Sequence, residues 1–193
     1  MPPKARITRD MIVDAGLTIV RTEGADSLNV RKIAAALSCS TQPVMYHFKT
    51  VSELRAAVYE AADALHTAYI MTPDESAGNP FLSIGLRYIR FAAEEGALFR
   101  FLFESDSFAS GSLQALMDAD ALQPMLTPLC QAADLTPEQA REVFSILFLC
   151  VHGAAGMIAN NSIEYDIAYL TRLLSEAFTG AVIAVKEEHH EAV

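Results

Sequence analysis

The chain has 193 residues, of which 52% are hydrophobic, so it can bury a core without help from disulfides or metals. Its three cysteines, Cys39, Cys130 and Cys150, are scattered and lack Cys-x-x-Cys spacing, which excludes a disulfide framework or a structural zinc site and favours a reducing cytoplasm. The formal net charge of −10, taken as a whole, argues against a nucleic-acid partner.

The distribution of charge along the chain reverses that impression. Residues 1–55 contain eight Lys and Arg against five Asp and Glu, a balance of +3, whereas the remaining residues contain six against nineteen, a balance of −13. No Asp or Glu lies between Asp26 and Glu53. Such an asymmetry indicates a segment that faces nucleic acid, joined to a segment with another role.

Hydrophobic residues recur at helical spacing along almost the whole chain, which predicts an all-α fold of about nine helices. The sequence contains no long strand alternation, hairpin signal or repeat. The first helix covers about Thr8–Glu23 and ends at Gly24, a residue typical of the position after a helix. Asn29 is the expected N-cap of a second helix, Val30–Leu37.

Residues 38–48, SCSTQPVMYHF, predict a turn followed by a short third helix. Ser40 is its expected N-cap, and Pro43 falls in the first turn, where the missing N–H removes no intrahelical hydrogen bond. Val44 and Phe48 are four residues apart and therefore share the inward face. The polar side chains left outward are those of Thr41, Gln42, Tyr46 and His47.

The rest of the chain predicts further helices with recognisable starts. Thr50-x-x-Glu53 is a capping box that begins a fourth helix, about Val51–Tyr69, and residues 72–79 form a loop. The later helices are expected from Pro80, after Gly96, over Ser112–Ala133 with interruptions at Pro124 and Pro128, from the capping box at Thr136 to about Ala159, and over Ile163–Val185.

Two short helices joined by a tight turn, after a supporting helix, predict a helix-turn-helix. The second helix of this motif enters a DNA major groove about 12 Å wide, so its outward side chains should hydrogen-bond base edges without carrying negative charge. Gln42 can pair with adenine, Thr41 offers a hydroxyl and a methyl group, and flanking cations neutralise phosphates. The predicted DNA-facing residues are Asn29, Arg31, Lys32, Ser40, Thr41, Gln42, Tyr46, His47 and Lys49.

Residues 7–62 resemble the DNA-binding domain of the TetR/AcrR family of transcriptional repressors. The resemblance implies a helix-turn-helix unit over about residues 29–48 and an α-helical ligand-binding and dimerisation domain over residues 63–188. It implies that Arg31, Thr41, Gln42, Tyr46 and His47 occupy DNA-facing positions. The matching elements are Glu23-Gly24, Leu28-x-Val30-Arg31-x-Ile33-Ala34, the turn after Leu37, His47-Phe48-Lys49 and Ser52-Glu53-Leu54.

Three positions depart from the family pattern. Ser38 stands at the usual turn glycine, Met45 at a common tyrosine and Val51 at a common lysine. The last two positions usually contact phosphates, and we hypothesise that Tyr46 and Lys49 substitute for them.

Each singled-out residue of the motif also has a purely structural interpretation. The Tyr46 ring can pack on the first helix, His47 can cap the fourth helix, and Arg31 can be a solvated charge. Cys39 is interpreted as a buried turn residue and not as a redox switch, because an activated thiol needs exposure and a lowered pKa.

Apolar and aromatic residues in the acidic part predict a pocket for an unknown small-molecule effector, which needs an apolar cavity with a few polar groups. The same residues also suit a plain core, and His152 is either a satisfied core histidine or a polar anchor. The predicted pocket residues are His66, Tyr69, Arg87, Tyr88, Phe91, Phe103, Met117, His152 and Asn160.

Small residues in the last two helices predict a homodimer. Gly153–Gly156 and the Ala177, Gly180, Ala181 and Ala184 positions allow close helix approach, as in a four-helix interface across a two-fold axis. A two-fold dimer reads two half-sites about 34 Å apart, so the expected operator is a near-palindrome of double-stranded DNA.

The sequence therefore favours a cytoplasmic, ligand-responsive DNA-binding repressor. The N-terminus lacks the apolar stretch of a secretory signal, and the apolar run Val143–Ala159 is interpreted as a buried helix and not as a membrane span. An enzyme is not expected, since no nucleophile elbow, P-loop, dinucleotide fingerprint or zinc spacing occurs, and we expect no cofactor or metal. An all-α carrier whose helix-turn-helix lacks DNA affinity remains the alternative.

Overall fold

A computed structural model of the chain describes residues 7–72, 80–104, 113–117 and 122–191. Within these ranges the chain forms ten α-helices and one 3₁₀ turn and no strand, which confirms the all-α prediction. The chain divides into two compact units, Met1–Tyr69 with Glu94–Phe108, and Ile70–Ala93 with Ala109–Val193.

The helices of the first unit follow the predicted boundaries closely. They are α1 (Arg9–Glu23), α2 (Val30–Ala36), α3 (Thr41–His47), α4 (Val51–Ile70, whose last residue belongs to the second unit) and, after α5 (Pro80–Glu94), α6 (Gly96–Phe103). The second unit contains most of α5 together with α7 (Leu113–Met117), α8 (Gln123–Ala133), α9 (Pro137–Ala159) and α10 (Ile167–Glu191).

Local capping chemistry explains most of these ends. Gly24 ends α1 at a φ of +85°, which glycine adopts without strain, and the Asn29 side chain accepts a hydrogen bond from the Lys32 N–H at 3.0 Å. Thr50 accepts from the Glu53 N–H at 3.1 Å, but the Glu53 carboxylate accepts from the Lys49 N–H at 2.8 Å. In the capping box predicted at the start of α4, the Glu53 carboxylate therefore accepts from the N–H of Lys49 and not from that of Thr50.

The later elements differ from the expectations in detail. The capping box at Thr136 forms as predicted, with Gln139 as its partner. Helix α8 continues through Pro128, and α10 begins at Ile167 and not near residue 163. Most of the predicted loop at 72–79, and the connection between α7 and α8, lie outside the described residues.

Helix α6 belongs to the first unit, although the predicted boundary after residue 62 assigned it to the second domain. Its side chains are inserted into the core of the first unit, where Leu98, Phe99, Phe101 and Leu102 are all buried. Arg21 of α1 forms an ion pair with Glu95 at 2.7 Å, just before α6. A domain boundary drawn at the middle of α4 therefore separates residues that share one core.

Close packing also joins α1 to α4 in this unit. A Cβ atom placed on Gly16 would lie 2.5 Å from Val58 Cγ2, a distance that real Cβ atoms do not tolerate. Val58 is fully buried, so the glycine is what allows α1 to approach α4. Helix α1 in turn contacts α2 and α3.

The second unit is built around α8, α9 and α10. One core cluster combines Leu129, Leu135, Ala140 and Val143 with Ala181 and Val185 from α10. Helices α9 and α10 are long and apolar enough, by length and composition, to cross a membrane over Pro137–Ala159 and Ile167–Glu188.

Both long helices of the second unit leave an apolar face exposed. The exposed large side chains of α9 are Ile146, Leu149 and Met157, and those of α10 are Tyr169, Leu173, Ile183 and, on the opposite side of the helix, Ile167. Ile167 apart, the side chains on α9 are three and eight residues apart and those on α10 are four and ten residues apart, so each set lies on one side of its helix. Gly153 and Gly180 lie on the same faces, and a Cβ at either position would meet open space.

Candidate nucleic-acid interface

The turn between α2 and α3 brings the two helices together by backbone bonds. Ser38 adopts a φ of +50°, in the region where glycine is favoured, and the Cys39 N–H donates to the Ala34 carbonyl at 2.9 Å. Ile33 and Val44 are fully buried beneath the two helices. The α2–turn–α3 pair is therefore anchored from one side and presents its other side to solvent, as predicted for residues 29–48.

The exposed side of α3 is neutral and rich in hydrogen-bonding groups. Ser40, Thr41, Gln42 and Tyr46 are all exposed, and the Ser40 hydroxyl makes no capping bond although Ser40 occupies the N-cap position. Tyr46 is 69% exposed. Its ring therefore does not pack on α1, and the structural alternative for this residue is wrong.

His47 is held in a different way from its neighbours. Its ring is half-buried, and Nε2 donates to the carbonyl oxygen of Ile7 at 3.0 Å. The residue neither projects freely from α3 nor caps α4, which were its two predicted roles. The bond instead fixes the backbone just before α1 against the end of α3.

The cations around the motif fall into two groups. Arg31 and Lys49 are exposed, and the Lys49 ammonium lies 5.6 Å from the centre of the Tyr46 ring. Lys32 is bound to the Glu23 carboxylate, and Asn29 is occupied as the cap of α2. Six of the nine predicted DNA-facing residues are thus exposed, and Asn29, Lys32 and His47 are committed to contacts within the protein.

Sequence reasoning missed the apolar border of this surface. Met45 and Val51 are 40% and 51% exposed, beside α3 and at the start of α4. In the sequence they stand out only as departures from a family pattern, although a neutral surface patch of methionine and valine is what a thymine methyl group contacts well. Arg9, also missed, lies 5.1 Å from the centre of the Phe48 ring.

Three of the nine predicted effector-pocket residues, His66, Tyr69 and Phe103, belong to the first unit, and the other six belong to the second. In the first unit the His66 ring meets the Phe103 ring edge-on, with centres 5.1 Å apart. The Tyr69 hydroxyl donates to the Glu94 carboxylate at 2.6 Å. His66 is 5% exposed, and burial lowers its pKa to about 4.

In the second unit Tyr88 and His152 are brought together. The buried Tyr88 hydroxyl and His152 Nδ1 share a hydrogen bond of 2.9 Å, and burial raises the pKa of Tyr88 far above its ordinary value, so the phenol keeps its proton. The Phe148 ring stacks on the His152 ring at 5.3 Å. This geometry supports the satisfied-histidine interpretation of His152.

The remaining predicted pocket residues behave mainly as structural groups. Phe91 is fully buried and Met117 is 5% exposed, as core residues are. Arg87 is half-buried. Asn160 is exposed and donates from its side-chain amide to the Gly156 carbonyl at 2.9 Å, so it caps the end of α9.

The depressed pKa of His66 predicts a loss of stability in acid. An unfolded histidine titrates near 6.5, so as pH falls below that value the unfolded chain binds a proton that the folded chain refuses until about pH 4. Stability is therefore complete above about pH 6.5 and falls towards pH 4, by up to about 2 kcal/mol at pH 5. Urea unfolding at pH 7.5 and pH 5.0 measures the loss. In His66→Phe, which keeps an aromatic ring beside Phe103, this part of the pH dependence should vanish; an unchanged dependence would show that other groups cause it.

Within the described ranges no three His, Cys, Asp or Glu side chains are placed so that they could hold a metal ion together. No protein-family model matches the chain, and no curated protein matches it.

Proposed function

We propose that this chain is a sequence-specific DNA-binding transcriptional regulator of the TetR/AcrR type, acting in the cytoplasm as a homodimeric repressor that an unknown small molecule releases from DNA. The observation that carries the proposal is the exposed, neutral, hydrogen-bonding side of α3, joined to α2 by a four-residue turn. That side has the composition that direct reading of base edges requires.

The chemistry of the surface assigns separate roles to its residues. Gln42 and Thr41 read bases, because an amide pairs bidentately with adenine and a threonine offers a donor, an acceptor and a methyl group. Arg31 and Lys49 neutralise phosphates on either side. The absence of Asp and Glu between positions 26 and 53 means that no carboxylate of this segment repels the backbone of DNA.

The exposed apolar faces of α9 and α10 support the dimer. Two such faces on one unit, bordered by Gly153 and Gly180, suit burial against the same faces of a second copy. Pairing α9 and α10 across a two-fold axis builds a four-helix interface, and such a dimer carries two copies of α3, one for each half-site.

Ligand control requires an effector that prefers one conformation. A small molecule releases DNA only when it binds more tightly to the arrangement in which the two copies of α3 are wrongly spaced. Helix α4 lies in the first unit except for its last residue, Ile70, and α5 lies in the second unit except for its last residue, Glu94. We propose these two helices as the mechanical link, with the Tyr69–Glu94 hydrogen bond joining their ends at 2.6 Å.

Fluorescence anisotropy on the DNA upstream of the protein's own gene, with a scrambled duplex as control, tests the proposal. Genomic-fragment selection supplies the operator when it lies elsewhere. Specific binding should weaken steeply with salt, and Arg31→Ala should weaken it further and lower the slope of log K against log salt by about one for each phosphate that the arginine neutralises. Equal, salt-insensitive affinity for every duplex would favour the rival function, a carrier whose helix-turn-helix does not bind DNA.

The dimer is tested by placing a charge in the apolar faces. Leu149 is 54% exposed on α9, so Leu149→Glu should leave the fold intact, because this side chain is not part of the core, and should prevent association by burying an unpaired charge. Analytical ultracentrifugation in detergent-free buffer should show a dimer for the wild type and a monomer for the variant. Glu60→Gln, a charge change at an exposed position of α4 in the first unit, away from these faces, is the control. A wild type that is soluble only in detergent would favour a membrane role for α9 and α10.

A further inference from the structure

The second unit contains a cavity that none of the predicted pocket residues lines. It has a volume of about 220 Å³ and lies between α5, α9 and α10. Its walls are mainly apolar, with side chains such as Leu147, Val151, Leu174 and Phe178. A cavity of about 150 Å³ in another protein holds benzene, so this space admits a single substituted ring and is too small for a larger polycyclic compound.

On one side of the cavity, Gly85 of α5 lies close to α9 and α10. Gly85 of α5 lies so near α9 and α10 that a Cβ atom there would be 3.3 Å from Val151 Cγ2 and 3.6 Å from Leu174 Cδ1. Any side chain at position 85 would therefore extend into the space between the three helices. The cavity consequently depends on a residue without a side chain.

The polar groups of the cavity are two hydroxyls whose hydrogens are already used. Ser175 donates to the Thr171 carbonyl at 2.8 Å, and Thr179 donates to the Ser175 carbonyl at 2.9 Å. Each hydroxyl oxygen still has lone pairs to offer. The cavity therefore offers hydrogen-bond acceptors, so the group that best satisfies it is a donor.

The absence of charged residues in the cavity walls limits the class of ligand further. Among the described residues, those that line the cavity include none of Asp, Glu, Lys, Arg or His. An ionised group against the apolar walls would lose part of its hydration without gaining a partner of opposite charge, which is costly even though the cavity opens to solvent beside the exposed Ser175 and Thr179. A neutral molecule loses much less.

We propose that this cavity binds a small, neutral, single-ring ligand that carries a hydroxyl donor, that is, a phenol. The ring fills the apolar part beside Phe178, and its hydroxyl donates to Ser175 or Thr179. For any effect on DNA binding the proposal rests on the function proposed above, but binding of the ligand itself does not.

Isothermal titration of the full-length protein, without DNA, with p-cresol, toluene and benzoate tests the proposal. p-Cresol should bind more tightly than toluene, which has the same ring and no donor, and benzoate should not bind. The Ser175→Ala and Thr179→Val double variant should weaken p-cresol by roughly threefold to tenfold, the effect of one neutral hydrogen bond, and should leave toluene unchanged. Thr171→Ala removes the equivalent hydroxyl one turn away, outside the cavity, and should change neither affinity.

Gly85→Ala tests the location, because the added methyl group should weaken both p-cresol and toluene. Should this variant not fold, the exposed Ser175 and Thr179 positions still carry the test. Absence of p-cresol binding, equal affinity for toluene, or p-cresol binding that the hydroxyl variants do not change would each overturn the proposal. Failure of operator binding in a protein that binds p-cresol would overturn only the DNA-binding function, and failure of p-cresol binding in a protein that binds its operator would overturn only the phenol site.

Discussion

Gln42→Ala is expected to weaken operator binding by about 1–3 kcal/mol at each half-site, and by twice that for a dimer that reads both half-sites. Gln42 is exposed on α3, one residue into the helix that rests on the buried Val44. Alanine cannot replace a bidentate amide contact to adenine, since its side chain has no hydrogen-bonding group. Anisotropy titration at fixed salt measures the affinity, and selection from randomised half-sites should show relaxed preference at one base pair.

The control for this experiment is Gln131→Ala, which removes the same side chain from an exposed position of α8 in the second unit. It should leave both affinity and sequence preference unchanged. Should Gln42→Ala and Tyr46→Ala both bind the operator like the wild type, the exposed side of α3 would not be the surface that reads DNA.

Local rules predicted the helices of the first unit well. Gly24, Asn29 and Pro43 act within one turn of their own position, through φ preference, side-chain capping and the missing N–H of proline. None of these effects needs a distant partner. The ends of α1, α2 and α3 could therefore be predicted to within about one residue from sequence alone.

The hydrogen bonds and ion pairs that individual side chains form within the protein could not be predicted, because they involve residues that are distant in the sequence. His47 is bound to the backbone of a residue 40 positions away, and Lys32 to Glu23 on the preceding helix. Helical periodicity places both side chains on the outer half of their helices, but it does not predict which residues they contact there. A polar side chain that helical periodicity predicts to be exposed is consequently weaker evidence for DNA contact than a side chain that is exposed in the structure.

The choice of effector-pocket residues was limited for a related reason. Aromatic and polar residues were selected from the sequence by type, and among them Phe91 is a core residue and Asn160 is a cap. The cavity in the second unit is a space left between α5, α9 and α10, where the side chains of these helices do not fill the volume. Its defining residues are a glycine and two hydroxyls, Gly85, Ser175 and Thr179, which no sequence pattern distinguishes from ordinary helix positions.

Because α6 belongs to the first unit, we expect a large loss of stability in this unit when a buried side chain of α6 is removed. Phe101 is 1% exposed, its ring lies 5.8 Å from the Tyr59 ring, and the Arg55 guanidinium lies 5.1 Å from its centre. Both partners are on α4, and the Tyr59 hydroxyl donates to the Leu102 carbonyl at 3.1 Å. Phe101→Ala removes this buried ring and should lower the free energy of unfolding by about 3–5 kcal/mol.

Hydrogen exchange resolved along the chain can show which helices become less stable. In Phe101→Ala, amides of α1 to α4 should exchange roughly 10²–10³-fold faster, because their protection depends on the core that α6 completes. Phe91→Ala deletes an equally buried ring from the second unit and should accelerate exchange mainly in α5, α8, α9 and α10. If Phe101→Ala instead left α1 to α4 protected and loosened the second unit, α6 would belong with the acidic part of the chain, as the boundary predicted after residue 62 required. If α1 to α4 lose their protection, the exposed side of α3 depends on α6, and the two belong to one cooperative folding unit.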